Sequence, residues 1–560
     1  MTRRHILITS VFIFVATMMT FVNAVNSDFV NWDDDAYIVK NPHIRQLDGT
    51  TVSWAFSNSY FYSWIPLTLL SHATDVALWG LNPKGHHFTG VLLHSFNATW
   101  IFLAGVLLFR LGESASKHSA YVMRGGFTAA MLLGSGVCAL LFAMHPLRVE
   151  SVAWVSGRKE LLCTFFLVPA FASYFFWRFR RRERWLVATY ILFALALLSK
   201  PVAVMFPFVL VIVDAWWLKR GETKSALFGY FVEGKILMML MSAAVVLINM
   251  SGPRGVAGNV FGEIGIVERL LFFPYAVLFY VWKMLAPFDL SPVYPELNRT
   301  LLLLSPLVLV AAGYALFALK AKRRTGLATA FLAYIVFIAP TFVGVPTGLQ
   351  PLADRYTYLS TIPLFLFVGG CGEWWWRRSS SSPGKLYQRE ALFVLLFILC
   401  GINAYRTVRH VSIWHNSVSL WSQAVRYAPS SRNEFEARKP YLKPDYLDAL
   451  TMLGTAYYDS QNPEKAADAF RMIVLLDSCN AEGYHRLGYI QAGQGLIDSS
   501  KASFKKAIAC NVRHAKAHFD LGMLLTQQDS LSAALPSLRT SARLGFHDAQ
   551  EFLRVRGIEW

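Results

Sequence analysis

Long apolar runs separated by short basic loops fill the first three quarters of the chain, and a period of amphipathic helices takes over near its end. Runs near residues 6–25, 88–109, 126–144, 160–177, 185–199, 201–218, 235–250, 301–319, 327–345, 358–371 and 390–404 are apolar enough to read as spanning helices, since a bilayer core needs about 20 such residues per helix. A further run, 267–287, is apolar but carries Arg269 and Lys283. Arg3, Arg4 and His5 precede the first run, which has spanning length and is followed by further runs. It is therefore predicted to be a retained helix rather than a cleaved leader.

Basic loops orient such a chain, because Lys and Arg accumulate on the cytoplasmic side. With the N-terminus inside, Arg110, Lys117 and Arg124, then Arg178, Arg180, Arg181, Arg182 and Arg184, then Lys219, Arg220 and Lys224 all fall inside. Lys320, Lys322, Arg323 and Arg324, and later Arg377 and Arg378 before the Ser-rich linker 379–384, agree only if 267–287 does not cross. That run is accordingly predicted to be interfacial or re-entrant. About eleven crossings remain, and the C-terminal part lies outside.

From about residue 447 a period of 34 appears: Leu453-Gly454, Leu487-Gly488 and Leu521-Gly522 recur in phase. Ala466, Ser500 and Ala534 take the small position of each second helix, and Phe470, Phe504 and Leu538 the large apolar position four residues later. Three such units match the tetratricopeptide signature, which stacks helix pairs into a surface for peptide or protein partners. Ser417, Trp421, Ala424 and Pro429 fit the second half of another unit. The expected fold is thus all-α: a polytopic membrane helix bundle over 1–410, a connecting segment with a partial repeat over 411–446, and a soluble tetratricopeptide-repeat α-solenoid over 447–560.

Composition agrees. Apolar residues are 55 % and charged residues 16 % of the chain, with a mean hydropathy of +0.39; a soluble domain carries roughly a quarter charged residues. The 53 Lys+Arg against 35 Asp+Glu leave +18. In a soluble chain that excess would point to nucleic acid; in these loops it reads as orientation, so no nucleic-acid partner is expected. Cys138, Cys163, Cys371 and Cys400 lie in or beside apolar runs and read as small hydrophobes. Cys479 and Cys510 fall among the repeats and can pair if that part is outside the cytoplasm, although spacing alone does not decide it.

Four clusters on the expected outer side carry charge. Asn31-Trp32-Asp33-Asp34-Asp35 continues to Asn41-Pro42. Three adjacent carboxylates beside a membrane suit a divalent metal or a general base for a hydroxyl acceptor, or else cap a helix in a solvated loop. His145-Pro146-Leu147-Arg148-Val149-Glu150, with Trp154, Gly157, Arg158, Lys159 and Glu160, packs charges into a short loop between two spans, where they are costly without a task. Lys200 in Ser199-Lys200-Pro201 reaches an anionic headgroup or snorkels. Asp354-Arg355-Tyr356-Thr357-Tyr358 offers an arginine able to grip phosphate, or a surface ion pair. The absence of a Gly-rich phosphate loop argues against an ATP-driven pump. The charges gather at one face rather than along a mid-membrane pathway, which argues against a transporter.

In this order the motifs resemble those of the transmembrane-and-tetratricopeptide-repeat O-mannosyltransferases and their bacterial relatives: Asp33-Asp34 then Asn41, the stretch from His145 to Leu162, Ser199-Lys200-Pro201, and Asp354 to Leu359. The resemblance implies a C-type glycosyltransferase fold in the membrane half. It further implies transfer of a sugar, mannose in the animal enzymes, from a polyprenyl-phosphate carrier to Ser/Thr hydroxyls of protein acceptors on the extracytoplasmic side, in a bacterial inner membrane if this is a bacterial relative. Asp33 and Asp34 match the catalytic acidic positions, with Asp34 the first choice and Asp35 an extra carboxylate. Arg158, Lys200 and Arg355 are the candidates for the donor phosphate. His145, Glu150, Asp354 and Tyr358 would line the site, and a divalent cation (Mg or Mn), if used, would sit on Asp34 and Glu150. Where the animal enzymes tend to have Glu-Arg and Ala-Asp, this chain has Asp354-Arg355 and Lys159-Glu160, so the donor sugar need not be mannose. A single displacement by a deprotonated hydroxyl predicts inversion at the anomeric carbon. The rival from another class is a non-enzymatic membrane scaffold that docks envelope proteins through its repeats.

Overall fold

The structure, a computed structural model, describes residues 2–61, 63–114, 127–218, 232–251, 266–294, 299–318, 321–341, 352–380, 386–426, 433, 445–528 and 530–560. Lys117, Arg124, Lys219, Arg220, Lys224, Lys320 and Pro429 lie outside these, as does the Ser-rich linker beyond Ser380. The described residues are helical with no strand; the one β-type contact is an isolated bridge from Tyr60 to Ser63. Two compact units form, one from Met1–Pro292 and Asn298–Asn416, the other built on Ser417–Trp560.

In the first unit the apolar runs become helices: α1 Arg3–Phe21, α2 Gly49–Ser57, α3 Pro66–Trp79, α4 Pro83–Ser114, α5 Ala129–Ala143, α6 Val149–Ala153, α7 Arg158–Arg180, α8 Glu183–Ser199, α9 Phe206–Leu218, α10 Ile236–Ser251, α11 Ile266–Leu285, α12 Arg299–Ala318, α13 Ala321–Ile338, α14 Ile362–Ser380 and α15 Leu386–Val411. Among the described residues, four segments are long and apolar enough to cross a membrane, Arg3–Asn26, Pro83–Leu111, Val155–Arg180 and Glu390–Trp414; a fifth forms if Ala129–Ala143 and Pro146–Ala153, bent by 59°, count as one. Shorter apolar helices accompany them at Pro201–Trp216, Ile236–Ser251, Leu270–Leu285, Thr300–Tyr314 and Gly326–Ile338. The run expected at 358–371 starts its long helix only at Ile362, because Thr357–Ser360 form a separate buried turn. The apolar run 267–287 is helix α11. The His145 ring bonds the Met284 carbonyl at its C-terminal end, and Tyr334 of α13 donates to the Val277 carbonyl in its second half.

The bundle has two chemically different ends. Helix α7 runs from Arg158 to Arg178, and 20 residues of helix rise about 30 Å, roughly a bilayer core. At its C-terminal end Arg178 and Arg181 reach Glu233 at 3.2 and 2.7 Å, Tyr174 donates to Asp214, and Lys235 bonds Asp214 at 2.6 Å. This network ties α7, α9 and the turn before α10 together. At the other end converge the C-termini of α1, α5, α8 and α15 and the N-termini of α4, α7 and α14. Every motif cluster of the membrane half sits there.

The second unit stacks α16 Ser417–Ala424, α17 Asp445–Asp459, α18 Pro463–Leu476, α19 Ala481–Gly493, α20 Ile497–Cys510, α21 Ala515–Gln527, α22 Leu531–Arg543 and α23 His547–Val555. The Leu-Gly anchors are explained by close approach. A Cβ at Gly454, Gly488 or Gly522 would stand 2.6–2.8 Å from the ring of Phe470 or Phe504 or the side chain of Leu538. The glycine is what lets the second helix of each pair seat its large residue on the first. In α16, Leu420, Trp421 and Ala424 are buried. Cys479 and Cys510 form a disulfide.

Candidate active site

The loop after α1 and the segment 145–160 form one polar cluster. Residues 146–157 are not the open loop their charge suggests: they fold as a 3₁₀ turn, the single turn α6 and a second 3₁₀ turn, and every one of them is buried. His145 caps the first turn, its Nδ1 accepting from Leu147 N–H at 3.2 Å while Nε2 donates to the Met284 carbonyl at 2.8 Å. Both ring nitrogens are thereby used in holding the chain. Gly157 permits the tight return: a Cβ there would stand 2.9 Å from the Ser151 carbonyl oxygen and 3.1 Å from that of Glu150.

The three adjacent carboxylates separate. Asp34 is fully buried; its Oδ1 accepts from Ser156 N–H at 2.9 Å and Ser156 Oγ–H at 2.5 Å, and its Oδ2 from Val30 N–H at 3.1 Å. Desolvation outweighs these donors and pushes its carboxyl up to about 7. Asp35 pairs with Lys40 at 2.6 Å toward solvent. Asp33 is half-buried, and no hydrogen bond or ion pair holds its carboxylate among the described residues. Asp34 thus pins the loop to the 155–157 turn, and Asp33 is the one of the three carboxylates that no donor holds among the described residues. Asn41 is a local cap, accepting from His43 N–H at 3.0 Å.

The cations expected at a phosphate are each closed on a buried carboxylate. Arg158 pairs with Asp75 of α3 and donates to the His86 carbonyl at 2.7 Å. Lys200, 4 % exposed, neither reaches a headgroup nor snorkels but pairs with Glu160. Arg355 pairs with Glu150 through its guanidinium, and its backbone N–H donates to the other Glu150 oxygen at 2.8 Å; the expected Asp354–Arg355 surface pair is not what forms. The reason is electrostatic, since a buried charge without a partner is destabilising. Lys159 is different. It is half-buried, forms no hydrogen bond or ion pair among the described residues, and lies 5.6 Å from the ring centroid of Tyr37 and 5.9 Å from that of Trp154.

Trp154 anchors the cluster. It stacks on Trp32 at 4.8 Å, contacts Trp414 at 5.8 Å, and has Arg355 over its face at 5.4 Å. Tyr358 lies deeper, fully buried, accepting from Asn97 at 3.1 Å and bonded to His94 at 2.6 Å; it supports the site wall rather than lining an open site. Asp354 is buried too and acts electrostatically on Arg148, whose guanidinium donates to the Thr357 carbonyl and Thr361 Oγ1 at 2.9 and 3.0 Å. The two carboxylates considered for a divalent cation, Asp34 and Glu150, have their oxygens turned onto protein donors, so the residues present do not fit such an ion.

Asp75, His72 and Thr68 were not singled out from sequence. All three are buried on α3; Thr68 donates to the Ser199 carbonyl at 2.9 Å, and Asp75 holds Arg158. Both ring nitrogens of His72 are buried without a partner, and burial together with the charge of Arg158 lowers its pKa well below the usual range. The signal was available: Thr68, His72 and Asp75, at four- and three-residue spacing, fall on one face of the helix.

A tetratricopeptide-repeat family profile matches residues 481–509. Curated proteins also include relatives that are similar to part of the chain. Protein O-mannosyl-transferase TMTC1 of Mus musculus is 29 % identical over 170 residues, covering 28 % of this chain and 16 % of that protein. Protein O-mannosyl-transferase TMTC4 of Homo sapiens is 30 % identical over 166 residues, covering 28 % and 21 %, and Tmtc3 of Drosophila melanogaster is 29 % identical over 171 residues, covering 29 % and 18 %. The chain thus spans about a fifth or less of the length of these relatives. The family resemblance carried by the motifs fits these relatives. The crystal structure of MamA is similar over 24 % of this chain and 70 % of that one, at 21 % identity and a TM-score of 0.20.

Proposed function

We propose that this chain is an integral-membrane glycosyltransferase that moves a sugar from a polyprenyl-phosphate carrier to Ser/Thr hydroxyls of protein acceptors on the extracytoplasmic face. The observation that carries the reading is Asp33, a half-buried carboxylate held by no donor among the described residues, at the end of the bundle where the charged motifs converge. Asp33 orients the acceptor hydroxyl and takes its proton as the hydroxyl oxygen bonds to the anomeric carbon from the face opposite the phosphate. The bond from that carbon to the phosphate oxygen breaks, and its electron pair leaves with the carrier phosphate. One displacement inverts the anomeric configuration. A phosphate leaving group needs little protonation, so no second acid is required. The Glu150–Arg355 and Glu160–Lys200 pairs lie within electrostatic reach of this loop, and Arg158–Asp75 ties the start of α7 to α3.

The similarity to proteins named O-mannosyl-transferases supports sugar transfer to protein, with mannose the first donor to try. The Arg178, Arg181 and Lys235 network at the far end of the bundle supports a cytoplasmic placement of that end, and with it an inside N-terminus. The Cys479–Cys510 disulfide supports outside repeats, because disulfides persist in oxidising compartments. The repeats, on this reading, recruit the protein acceptor or a partner that presents it.

The test is transfer from a panel of polyprenyl-phosphate sugars to extracytoplasmic proteins by membranes holding wild type or Asp33→Asn. Wild-type transfer with an inverted linkage, falling by about a hundredfold or more in the variant at equal folded protein, is expected for loss of a general base. No transfer from any donor, or an Asp33→Asn variant as active as wild type, would sink the reading and leave the docking scaffold in its place.

A further inference from the structure

We infer that Lys159 forms the binding site for the carrier phosphate of a lipid-linked sugar, taking the role for which Arg158, Lys200 and Arg355 looked suited; this rests on the transfer reaction proposed above. Five cations belong to the segments 145–160, 199–201 and 354–359 at this end of the bundle. Arg158, Lys200 and Arg355 are each neutralised by a buried carboxylate, Asp75, Glu160 and Glu150. Arg148 is fully buried and donates through its two terminal nitrogens to the Thr357 carbonyl and Thr361 Oγ1. Lys159 alone among them has its ammonium in a half-buried position with neither hydrogen bond nor ion pair among the described residues.

Its surroundings leave its hydrogen-bond donors open. The Tyr37 and Trp154 rings flank it at 5.6 and 5.9 Å, and such faces hold a cation without consuming its hydrogen-bond donors. The charges of Asp33, Arg355, Lys200 and Glu160 all act on it. Those charges are two of each sign, with Arg355 and Lys200 closed on Glu150 and Glu160, so an anion at Lys159 meets one ammonium whose hydrogen-bond donors are unused, with the Asp33 carboxylate nearby. Neighbouring residues on a helix point about 100° apart, which is how Arg158 turns inward to Asp75 while Lys159 faces the first loop.

The charge balance of the step explains why the free cation matters. The donor is a phosphodiester with one negative charge. When its bond to the anomeric carbon breaks, the carrier leaves as a monoester with two, and the acceptor proton goes to Asp33. An ammonium not already saturated by a carboxylate stabilises that extra charge more than it stabilises the bound donor, which is the differential that accelerates a reaction. Cations locked in neutral pairs respond less.

The experiment uses the full chain in lipid nanodiscs. Lys159 is labelled with an amine-reactive reagent and read by peptide mass spectrometry, with polyprenyl monophosphate, polyprenol of equal length, or phosphatidic acid added. Binding of polyprenyl monophosphate is measured in parallel for wild type, Lys159→Gln and Lys159→Arg. Protection by polyprenyl monophosphate and not by polyprenol or phosphatidic acid is expected, with affinity about tenfold lower in Lys159→Gln and largely restored in Lys159→Arg. The labelling arm needs no variant, so misfolding of Lys159→Gln leaves the inference testable. Bound polyprenyl monophosphate with Lys159 still fully labelled overturns it. So does phosphatidic acid protecting equally well, which would make the site a general headgroup contact. Protection without sugar transfer would support the phosphate site while ending the transferase reading; transfer with Lys159 unprotected would do the reverse.

Discussion

At Asp34 burial pushes the carboxyl up to about 7 from an ordinary 3.8, even though Ser156 and Val30 donate three hydrogen bonds to it. Between those two pH values the folded chain keeps a proton that the unfolded chain has lost. Stability must then fall as pH rises from about 4 to about 7. Thermal unfolding of the detergent-solubilised protein across that range is expected to show a steeper decline for wild type than for Asp34→Asn. Equal slopes would mean that Asp34 is ionised throughout, held by its donors. Asp33, one residue earlier and free of donors, is expected to show the opposite profile: its loss removes transfer and leaves the unfolding temperature close to wild type. From sequence alone the three carboxylates could not be ranked, because what separates them is the Ser156 backbone, which reaches Asp34 from 122 positions away.

Helix entries and short turns place the chemistry. Gly157 is held between the Ser151 and Glu150 carbonyls, and neither backbone atom can move aside as a flexible side-chain tip would. Gly157→Ala should lower stability by about 1–3 kcal/mol and displace Ser156 from Asp34, so that transfer falls more than the unfolding temperature suggests. Trp154→Ala removes the plate between Trp32, Trp414 and Arg355; a loss of about 3–5 kcal/mol is typical of such a truncation. A Trp154→Ala chain that melts like wild type would show that the stack does not hold the loop. Motifs at this level were legible because charge is conspicuous in apolar sequence and the repeats announce themselves by phase. Pairing was not legible. Arg158 and Lys159 are neighbours in the chain, yet one closes on Asp75 of α3 and the other stays open, a distinction that only the direction of each side chain decides. The stripe of Thr68, His72 and Asp75 was readable but was passed over in a search for charged clusters in loops.

For the molecule as a whole, the repeat unit offers its own tests. The Cys479–Cys510 bridge closes a separation of 31 residues, for which chain entropy gives about 3.5 kcal/mol. Reduction should lower the melting transition of the repeats accordingly, and the same two thiols should resist labelling in intact cells until a reductant is added. Within the unit, His514 and then Arg486 hold the Glu482 carboxyl at about 2, below its ordinary 4.5. That contribution is complete above about 4.5 and is lost as the pH falls toward 2. Acid unfolding of the repeats should therefore shift less in Glu482→Gln than in wild type, and identical acid transitions would remove the Glu482–His514 contact from the account.

The closed pairs Arg158–Asp75, Lys200–Glu160 and Arg355–Glu150 also bear on the company such a site keeps. A bilayer is crowded with anionic phospholipids, and a lipid carrier is a scarce solute within it. Had those three cations been open, the commonest acidic lipid would occupy them and the rare one would queue. With their charge already spent internally, bulk lipid finds little to hold it, and the chain should work nearly as well in strongly acidic membranes as in neutral ones.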